Sequence, residues 1–159
     1  MVQIRNITEQ NLAAVDALYN EAFKIEIKAH GSESGIASRN LRQLEVFKKM
    51  HQDVNVVMLG CYTEKNLVGF LVMYIHDYFL EFCLPFASVW GLCVKQSAQN
   101  QGIGTALMKE GELIAKEKYN CNEMWLFSGS KRTDAHKFYE KLGYNYEKEK
   151  GFVKRLSDN

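Results

Sequence analysis

One short segment limits the folds open to this chain more than any other: the polar, glycine-bearing stretch QNQGIGTALM, Gln99–Met108. It follows an apolar, strand-like run, Ser88–Val94, and leads into an amphipathic helix. Glycines at such a junction let the backbone come close to a ligand, and the N–H groups at a helix start favour an anion. The segment therefore predicts a strand–turn–helix unit that holds a phosphate.

Apolar periodicity extends this unit into a complete domain. Alternating or β-rich runs predict strands, and apolar residues three and four apart predict helices. In chain order the predictions are strand 2–8, a helix containing Leu12 to Ala22, a loop over 24–38, a helix containing Leu41 to Phe47, strands 54–62, 67–75 and 88–94, helix 102–118, strand 123–127, a helix containing Ala135 to Leu142, and strands 144–149 and 151–156. The order βααβββαβαββ predicts a single α/β domain with a mixed sheet over residues 1–159.

Local residue chemistry refines these boundaries. Thr8 and Ser38 are predicted N-caps of the first two helices, and Gly143 is a predicted stop for the last. The polar stretch 63–66 between two β-rich runs predicts a hairpin turn. Gly91, inside a strand, marks a bulge or the close approach of another backbone, unless it is an accidental glycine.

Composition and charge exclude several classes of protein. The formal net charge of +1 gives no indication of a nucleic-acid partner. The longest apolar runs are far shorter than the roughly 20 residues needed to cross a bilayer, so no membrane contact is expected. The N-terminus lacks the apolar core of a signal peptide, which predicts a cytoplasmic protein. The four cysteines stand singly, without metal-ligand spacing, and are expected to be reduced and mostly buried; no metal site is expected.

Two familiar phosphate loops do not match the segment. A dinucleotide-binding G-x-G-x-x-G needs a third glycine where this chain has Leu107. A nucleotide P-loop needs a lysine after its last glycine, and none follows Gly104. What remains is the pattern Gln99-x-x-Gly102-x-Gly104.

With this pattern the chain resembles the GNAT superfamily of acyl-CoA-dependent N-acetyltransferases, whose signature is Gln/Arg-x-x-Gly-x-Gly/Ala. A second stretch, AHKFYEKLGY over Ala135–Tyr144, is similar to the family's second motif, a helix that carries Phe-Tyr and ends in Lys-x-Gly-Tyr/Phe. The resemblance implies a central, mostly antiparallel, twisted sheet flanked by helices. It also implies an enzyme that moves an acetyl group from acetyl-CoA to a primary amine of a small molecule or a peptide by direct transfer.

Acetyl-CoA brings a pyrophosphate, which backbone N–H groups at a helix start can surround. The expected cradle consists of Gln99, Asn100, Gln101, Gly102, Ile103, Gly104 and Thr105. The resemblance further implies that the pantetheine arm runs beside the strand residues Leu92, Cys93 and Val94, with hydrogen bonds from the backbone of Leu92 and Val94. The thioester is then expected where this strand separates from the strand ending at Phe127.

The resemblance assigns Tyr139 as the general acid that protonates the departing CoA thiolate, and as a residue at the CoA site. The alternative for Tyr139 is a core tyrosine, because it lies on an apolar helical stripe. Arg132 stands where family members often have an asparagine. It either reaches a CoA phosphate or remains a solvated surface charge.

The sequence leaves the general base open. Many GNAT relatives carry a glutamate in the strand before the cradle, but this chain has Trp90 and Gly91 around that position. The candidates are a water chain or one of four side chains, each with an ordinary surface role as its alternative: Asp77, Glu81, Glu26 and His30. The missing glutamate also keeps open a non-catalytic acyl-CoA-binding or sensing module, with a nucleotide-binding protein as a more distant alternative.

Two segments are expected to shape the acceptor site by analogy with the family, the loop 24–38 and the aromatic stretch 76–86. The stretch 77–86 is more apolar than a solvated connection needs to be. It either covers the acceptor pocket or pairs two subunits, and the homodimer is slightly favoured. The identity of the amine does not follow from the sequence.

Overall fold

The computed structural model describes residues 2–30, 43–64, 66–79, 84–147 and 154, with the backbone alone for 23–30, 78 and 79. The strands are β1 Val2–Asn6, β2 Val56–Thr63, β3 Asn66–Phe79, β4 Leu84–Val94 and β5 Glu123–Leu126. The helices are α1 Leu12–His30, α2 Gln43–Gln52, α3 Ile103–Tyr119 and α4 Thr133–Lys141. The chain divides into two compact units, Met1–Leu126 with the sheet and α1 to α3, and Phe127–Asn159 with α4, and each is described by itself.

The five strands form one sheet in the order β1-β2-β3-β4-β5. The first three pairings are antiparallel, and β4 pairs with β5 in parallel. This confirms the predicted α/β fold with a mixed, mostly antiparallel sheet. The predicted hairpin joins β2 to β3, where Thr63 pairs with Asn66 and Glu64 takes a positive φ of 56°.

The two faces of the sheet bury different helices, because successive residues of a strand point to opposite sides. Phe70 and Val72 of β3 belong to a core cluster with residues of α1 and α2. On the other face, α3 comes so close to the sheet that a Cβ at its position 111 would lie 2.5 Å from Leu71 Cδ2 and 3.5 Å from Met73 Sδ. The first face is called the α1 face below, and the second the α3 face.

The predicted loop over 24–38 is wrong in its first part, because α1 continues to His30. Between Lys24 and His30 the chain has no glycine or proline, the residues that end helices most strongly, and the first glycine is Gly31. The polar character of the stretch is compatible with an exposed helix. The rest of this loop and the predicted cap at Ser38 lie outside the described residues.

The aromatic stretch 77–86 was expected to be a connection, and the described part of it is strand. β3 continues to Phe79 and β4 begins at Leu84, four residues before the predicted start, so that Phe79 pairs with Leu84. Leu80, Glu81, Phe82 and Cys83 lie outside the described residues.

The C-terminal end of the described chain also differs from expectation. Gly143 stops α4 with a φ of 92°, as predicted. The predicted strand over 144–149 is wrong for Tyr144–Glu147, which are not strand. Asn145 Oδ1 accepts a hydrogen bond from the Glu147 backbone N–H at 2.8 Å, and such a local turn competes with pairing in a sheet. The remainder of the two closing strands lies outside the described residues, apart from Lys154.

Candidate active site

A β-bulge interrupts β4 at Trp90. Val72 of β3 pairs with Gly91, but its neighbour Met73 pairs with Val89, so Trp90 is an extra residue opposite β3. This confirms the bulge predicted from Gly91. Bulges bend a strand and redirect a side chain, and the Trp90 side chain is 67% exposed.

The strands β4 and β5 separate at the same place. Their parallel pairing ends with Val89 opposite Leu126, and β5 itself ends at Leu126. Beyond Val89, β4 continues for five residues to Val94 beside β3 alone, among the described residues. Over the length in which the pantetheine arm was predicted, one edge of β4 therefore has no strand partner among the described residues, and this unpaired edge is called the gap below.

The backbone groups that point into this gap follow from one hydrogen bond. The Lys95 N–H donates to the Val68 carbonyl of β3 at 2.8 Å. Because the direction of N–H and C=O alternates along an antiparallel strand, Cys93 also points its backbone toward β3, while Leu92 and Val94 point theirs away. The Val94 carbonyl is already taken by the Gln99 side chain, whose Nε2 donates at 3.1 Å.

Cys93 differs from its neighbours Leu92 and Val94 in the direction of its backbone groups. It pairs with Phe70, and its side chain packs against the core cluster of the α1 face. Its backbone and its thiol are thus directed into the fold rather than into the gap, and its place beside the ligand stays a prediction.

The predicted cradle lies between β4 and α3. A 3-10 turn over Gln96–Ala98 is followed by positive φ values of 59° at Asn100 and 79° at Gly102, which caps α3. The Gln101 Nε2 donates to the Ser97 carbonyl at 3.2 Å. A Cβ at Gly102 would have no atom of the other described residues within 4 Å, its chain neighbours aside. The space beside this backbone is open.

The first turn of α3 supplies the amides expected at such a site. The intrahelical bonds begin with Ala106, whose N–H donates to the Gly102 carbonyl at 2.9 Å. The preceding N–H groups of Ile103, Gly104 and Thr105 have no carbonyl one turn earlier in the helix. None of the described first-turn residues is acidic. This end of the helix therefore suits an anion.

A polar cluster that the sequence did not predict lies beside the bulge, on the α1 face. It consists of His76 on β3, Ser88 on β4 and the bulged Trp90. The Ser88 Oγ is 2.7 Å from His76 Nε2 and accepts a hydrogen bond from Trp90 Nε1 at 2.8 Å. Burial lowers the pKa of His76 below its ordinary value. A histidine and a serine inside apolar strands were the available signal, but their meeting depends on strand pairing.

Aromatic rings continue this cluster across the sheet. The His76 ring stacks on Phe86 with centroids 4.3 Å apart and planes 8° apart, and Phe86 is 5.2 Å from the Trp125 ring of β5. The Trp125 Nε1 donates to the Glu123 carboxylate at 2.7 Å. The sheet on this side of the gap is thus lined by half-buried aromatic rings and a few polar groups.

Of the four predicted base candidates, only Asp77 has a described side chain. Asp77 is exposed and follows His76 on β3, so its side chain alternates to the α3 face. Glu26 and His30 lie on α1, where only the backbone is described, and Glu81 lies outside the described residues.

The second unit contains the other two predicted site residues. Tyr139 is half-buried on α4, and its ring lies 5.2 Å from Phe138 and 6.1 Å from Tyr144. Arg132 is the N-cap of α4, and its N–H donates to the Gly129 carbonyl at 2.9 Å. Tyr139 therefore lies on the predicted helix, and Arg132 lies at its start.

The remaining reactive groups are cysteine thiols and potential metal ligands. In the described part of the chain, Cys61 is buried, Cys93 and Cys121 are half-buried, and none of the three forms a disulfide. Cys83 lies outside it. Burial raises the pKa of the Cys61 and Cys121 thiols, which disfavours the thiolate form. Among the described residues, no group of three or more His, Cys, Asp or Glu side chains could hold a metal ion.

The chain thus combines a mixed sheet, a bulged strand β4 with an unpaired edge beside it, and a helix start that suits an anion. The sequence model of the acetyltransferase (GNAT) family matches residues 13–144. The chain belongs to this family, and the protein is an acetyltransferase enzyme. The match extends over both compact units.

Solved structures share the fold at low sequence identity. A transcriptional regulator from Bacillus halodurans matches with a TM-score of 0.78 and 22% identity, over 98% of this chain and 100% of its own. A ribosomal-protein-alanine N-acetyltransferase from Brucella melitensis matches with 0.75 and 18%, over 98% and 100%. An aminoglycoside N-acetyltransferase in complex with CoA matches with 0.78 and 16%, over 99% and 96%. A comparison with curated protein sequences finds no match.

None of the described helices combines the length and the apolar character that a bilayer span requires.

Proposed function

We propose that this protein transfers the acetyl group of acetyl-CoA directly to a primary amine. The observation that carries the proposal is the free edge of β4, which joins the gap at Val89 to the cradle that follows Val94. These residues span about 16 Å of extended strand. An extended pantetheine arm could lie along this edge, with the pyrophosphate at one end and the thioester at the other.

Backbone groups would hold the donor. The pyrophosphate would accept hydrogen bonds from the amides of the cradle, and the helix dipole of α3 would add about 0.3 to 1 kcal/mol. The arm would bond to the Leu92 backbone and to the Val94 N–H, the groups that point away from β3. The Gln99 side chain would close the junction, because it already holds the Val94 carbonyl.

Transfer needs a neutral amine and a proton for the departing thiolate. A free lysine-like ammonium has a pKa of about 10.4, so the enzyme must favour the neutral form or remove a proton. Tyr139 is the proposed donor to the thiolate, by its place in the family's second motif. In this reaction the amine nitrogen forms a bond to the acetyl carbon, the bond from that carbon to sulfur breaks, and CoA leaves as a thiol.

The amine remains a matter for experiment. Relatives of the same fold are named for aminoglycosides and for an alanine of a ribosomal protein, so both a small molecule and a peptide N-terminus are candidate acceptors. A non-catalytic acyl-CoA-binding module is the second candidate. It is favoured by Trp90 and Gly91, which occupy the positions where many relatives carry a glutamate.

One assay separates the two functions. The protein is incubated with acetyl-CoA and, separately, with an aminoglycoside, an alanine-initiated peptide, spermidine and a lysine-like amine. Free CoA thiol and the mass of the acetylated amine are measured together. We expect both to rise with at least one acceptor. Acetyl-CoA binding by calorimetry without any product would support the binding module, and thiol release without an acetylated amine would indicate hydrolysis and contradict transfer.

A further inference from the structure

The proposed transfer still lacks a group that takes the proton of the amine. We propose that Ser88 and His76 form a proton relay in which Ser88 receives this proton from the amine while passing its own to the His76 imidazole. This inference rests on the proposed function. It starts from the geometry around Ser88 Oγ, whose two hydrogen-bond partners among the described residues are His76 Nε2 and Trp90 Nε1.

The direction of the relay follows from the chemistry of the three groups. An indole N–H can only donate, so the bond from Trp90 occupies one lone pair of Ser88 Oγ. The Ser88 hydrogen can then point at His76 Nε2, which lies 2.7 Å away. The second lone pair of Ser88 Oγ remains as the acceptor for an amine N–H. In this arrangement Ser88 touches the substrate, and His76 acts through Ser88.

The location suits the reaction. Ser88 directly precedes Val89, the last residue of β4 that pairs with β5, and Trp90 is the bulged residue at the mouth of the gap. The cluster lies on the α1 face, because Ser88 pairs with Tyr74, which is in phase with Phe70 and Val72 along β3. Since α3 packs on the opposite face, an amine approaching from the α1 face would meet the thioester from the side away from the helix that holds the pyrophosphate.

Burial shields this pair from bulk water and keeps the imidazole in its neutral form. Ser88 is 8% exposed, so bulk water competes little for its oxygen. Burial also lowers the pKa of His76, which keeps the imidazole neutral near pH 7 and able to accept a proton. The stacked Phe86 ring fixes the plane of the imidazole.

Other titratable groups belong to the elements that form or cover this face. The Glu123 carboxylate is hydrogen bonded to Trp125, and the Tyr74 ring lies 4.8 Å from His76. The helices α1 and α2 pack on this face. Their titratable residues with described side chains are Asp16, Tyr19 and Glu21 on α1 and Glu45, Lys48, Lys49 and His51 on α2. Within the cluster of His76, Ser88 and Trp90, Ser88 has the oxygen next to Val89, where β4 and β5 separate. We therefore place the amine at Ser88.

The proton balance closes without another reactant. The amine attacks the acetyl carbon, its proton moves to Ser88 Oγ, and the original Ser88 proton moves to His76 Nε2. The thiolate is protonated separately, by Tyr139 in the proposed function. The imidazolium then loses its proton to solvent, Tyr139 regains a proton from solvent, and Ser88 turns its hydroxyl hydrogen back to His76 Nε2.

The test compares Ser88→Ala, His76→Gln and the double variant with wild type, using acetyl-CoA and the best acceptor of the amine panel. Each single variant should lower kcat by roughly 10²- to 10⁴-fold, with acetyl-CoA affinity unchanged. The double variant should be no slower than the slower single variant, because the two groups act as a unit. Ser88→Thr, which keeps the hydroxyl, is the matched control and should retain activity within about tenfold of wild type.

The pH dependence of kcat/KM distinguishes the relay from a packing role of His76, because the loss of a packing contact would leave the shape of the pH profile unchanged. In wild type, kcat/KM should fall at acid pH as His76 becomes protonated, and this limb should disappear in His76→Gln while the ionisation of the acceptor amine remains common to both. Wild-type transfer with an unchanged profile in His76→Gln, or additive losses in the double variant, would overturn the relay and leave the proposed function standing. No transfer by wild type to any amine of the panel would overturn both.

Discussion

At the scale of single residues, Gly102 combines a left-handed backbone with open space beside it. Its φ of 79° sets the chain direction at the start of α3, and among the described residues other than its chain neighbours no atom lies within 4 Å of where a Cβ would be. Two costs of substitution can therefore be separated. A bulky side chain at a positive φ strains the backbone, whereas asparagine tolerates this region. Any side chain there would also occupy the space beside the cradle.

Gly102→Val should weaken acetyl-CoA binding severely and lower stability by roughly 1–2 kcal/mol through backbone strain. Gly102→Asn should lose binding as well, but with little loss of stability. Calorimetry with acetyl-CoA and thermal unfolding of both variants check this. Unchanged affinity in a folded Gly102→Val protein would end the cradle interpretation.

Tyr139→Phe should lower kcat by roughly 10²- to 10⁴-fold while acetyl-CoA affinity changes little, because a positioned acid acts mainly in the transition state. The ring and its contacts with Phe138 and Tyr144 are kept, so the variant should remain folded. Steady-state kinetics with the best acceptor is the measurement. A wild-type kcat in this variant would identify Tyr139 as packing, with solvent protonating the thiolate.

At the scale of secondary-structure elements, the position of α3 depends on how closely it approaches β3. Gly111 lies in the middle of α3, where glycine is expected to cost about 1 kcal/mol relative to alanine. A Cβ there would come within 2.5 Å of Leu71 Cδ2, and Leu71 is completely buried. The glycine therefore permits the contact that holds the helix, and with it the cradle, against the sheet.

Gly111→Ala should lower the free energy of unfolding by about 1–3 kcal/mol through overpacking, despite the better helix propensity of alanine. In a Leu71→Ala background the same change should cost much less, because the clashing methyl group is gone. Denaturant unfolding of the four proteins of this cycle is the measurement. Equal costs in both backgrounds would show that Leu71 does not limit the approach of α3.

At the scale of the whole molecule, the association of subunits remains a prediction. The apolar stretch 77–86 was expected either to cover the acceptor pocket or to pair two subunits. Within it, Phe86 is half-buried and stacked on His76, which favours a part in lining the site, whereas Leu84 is 40% exposed. Among the apolar side chains described in this stretch, Leu84 is the most exposed, so a subunit contact is tested at this residue.

We expect a homodimer by light scattering at high protein concentration, and Leu84→Asp should shift the mass toward the monomer because it would bury a charge at the contact. Val2→Asp is the matched control, since Val2 is 49% exposed and pairs with Thr63, next to the hairpin turn at the end of β3 opposite to this stretch. A wild-type protein that is strictly monomeric would remove the interface and leave the stretch as part of the acceptor site.

Local patterns in the sequence were sufficient for much of the fold. The order of the described elements, the hairpin at 63–66, the Gly143 stop and the cradle between β4 and α3 each follow from residues within about one helical turn or one strand of each other. The same local chemistry was misjudged where a polar run without a breaker formed the end of α1, and where Asn145 made a turn instead of a strand. The two family motifs, both local, also identified the acetyltransferase family.

Only the tertiary structure decided which strand edge is free and which side chains meet there. The bulge makes Trp90 an extra residue, the parallel pairing of β4 with β5 ends at Val89, and His76 lies within hydrogen-bond distance of Ser88. These features depend on the register between strands that are far apart in the chain, and a shift of one residue would turn each side chain to the other face. Periodicity within a strand states which residues share a face, but not which residues of another strand lie opposite them.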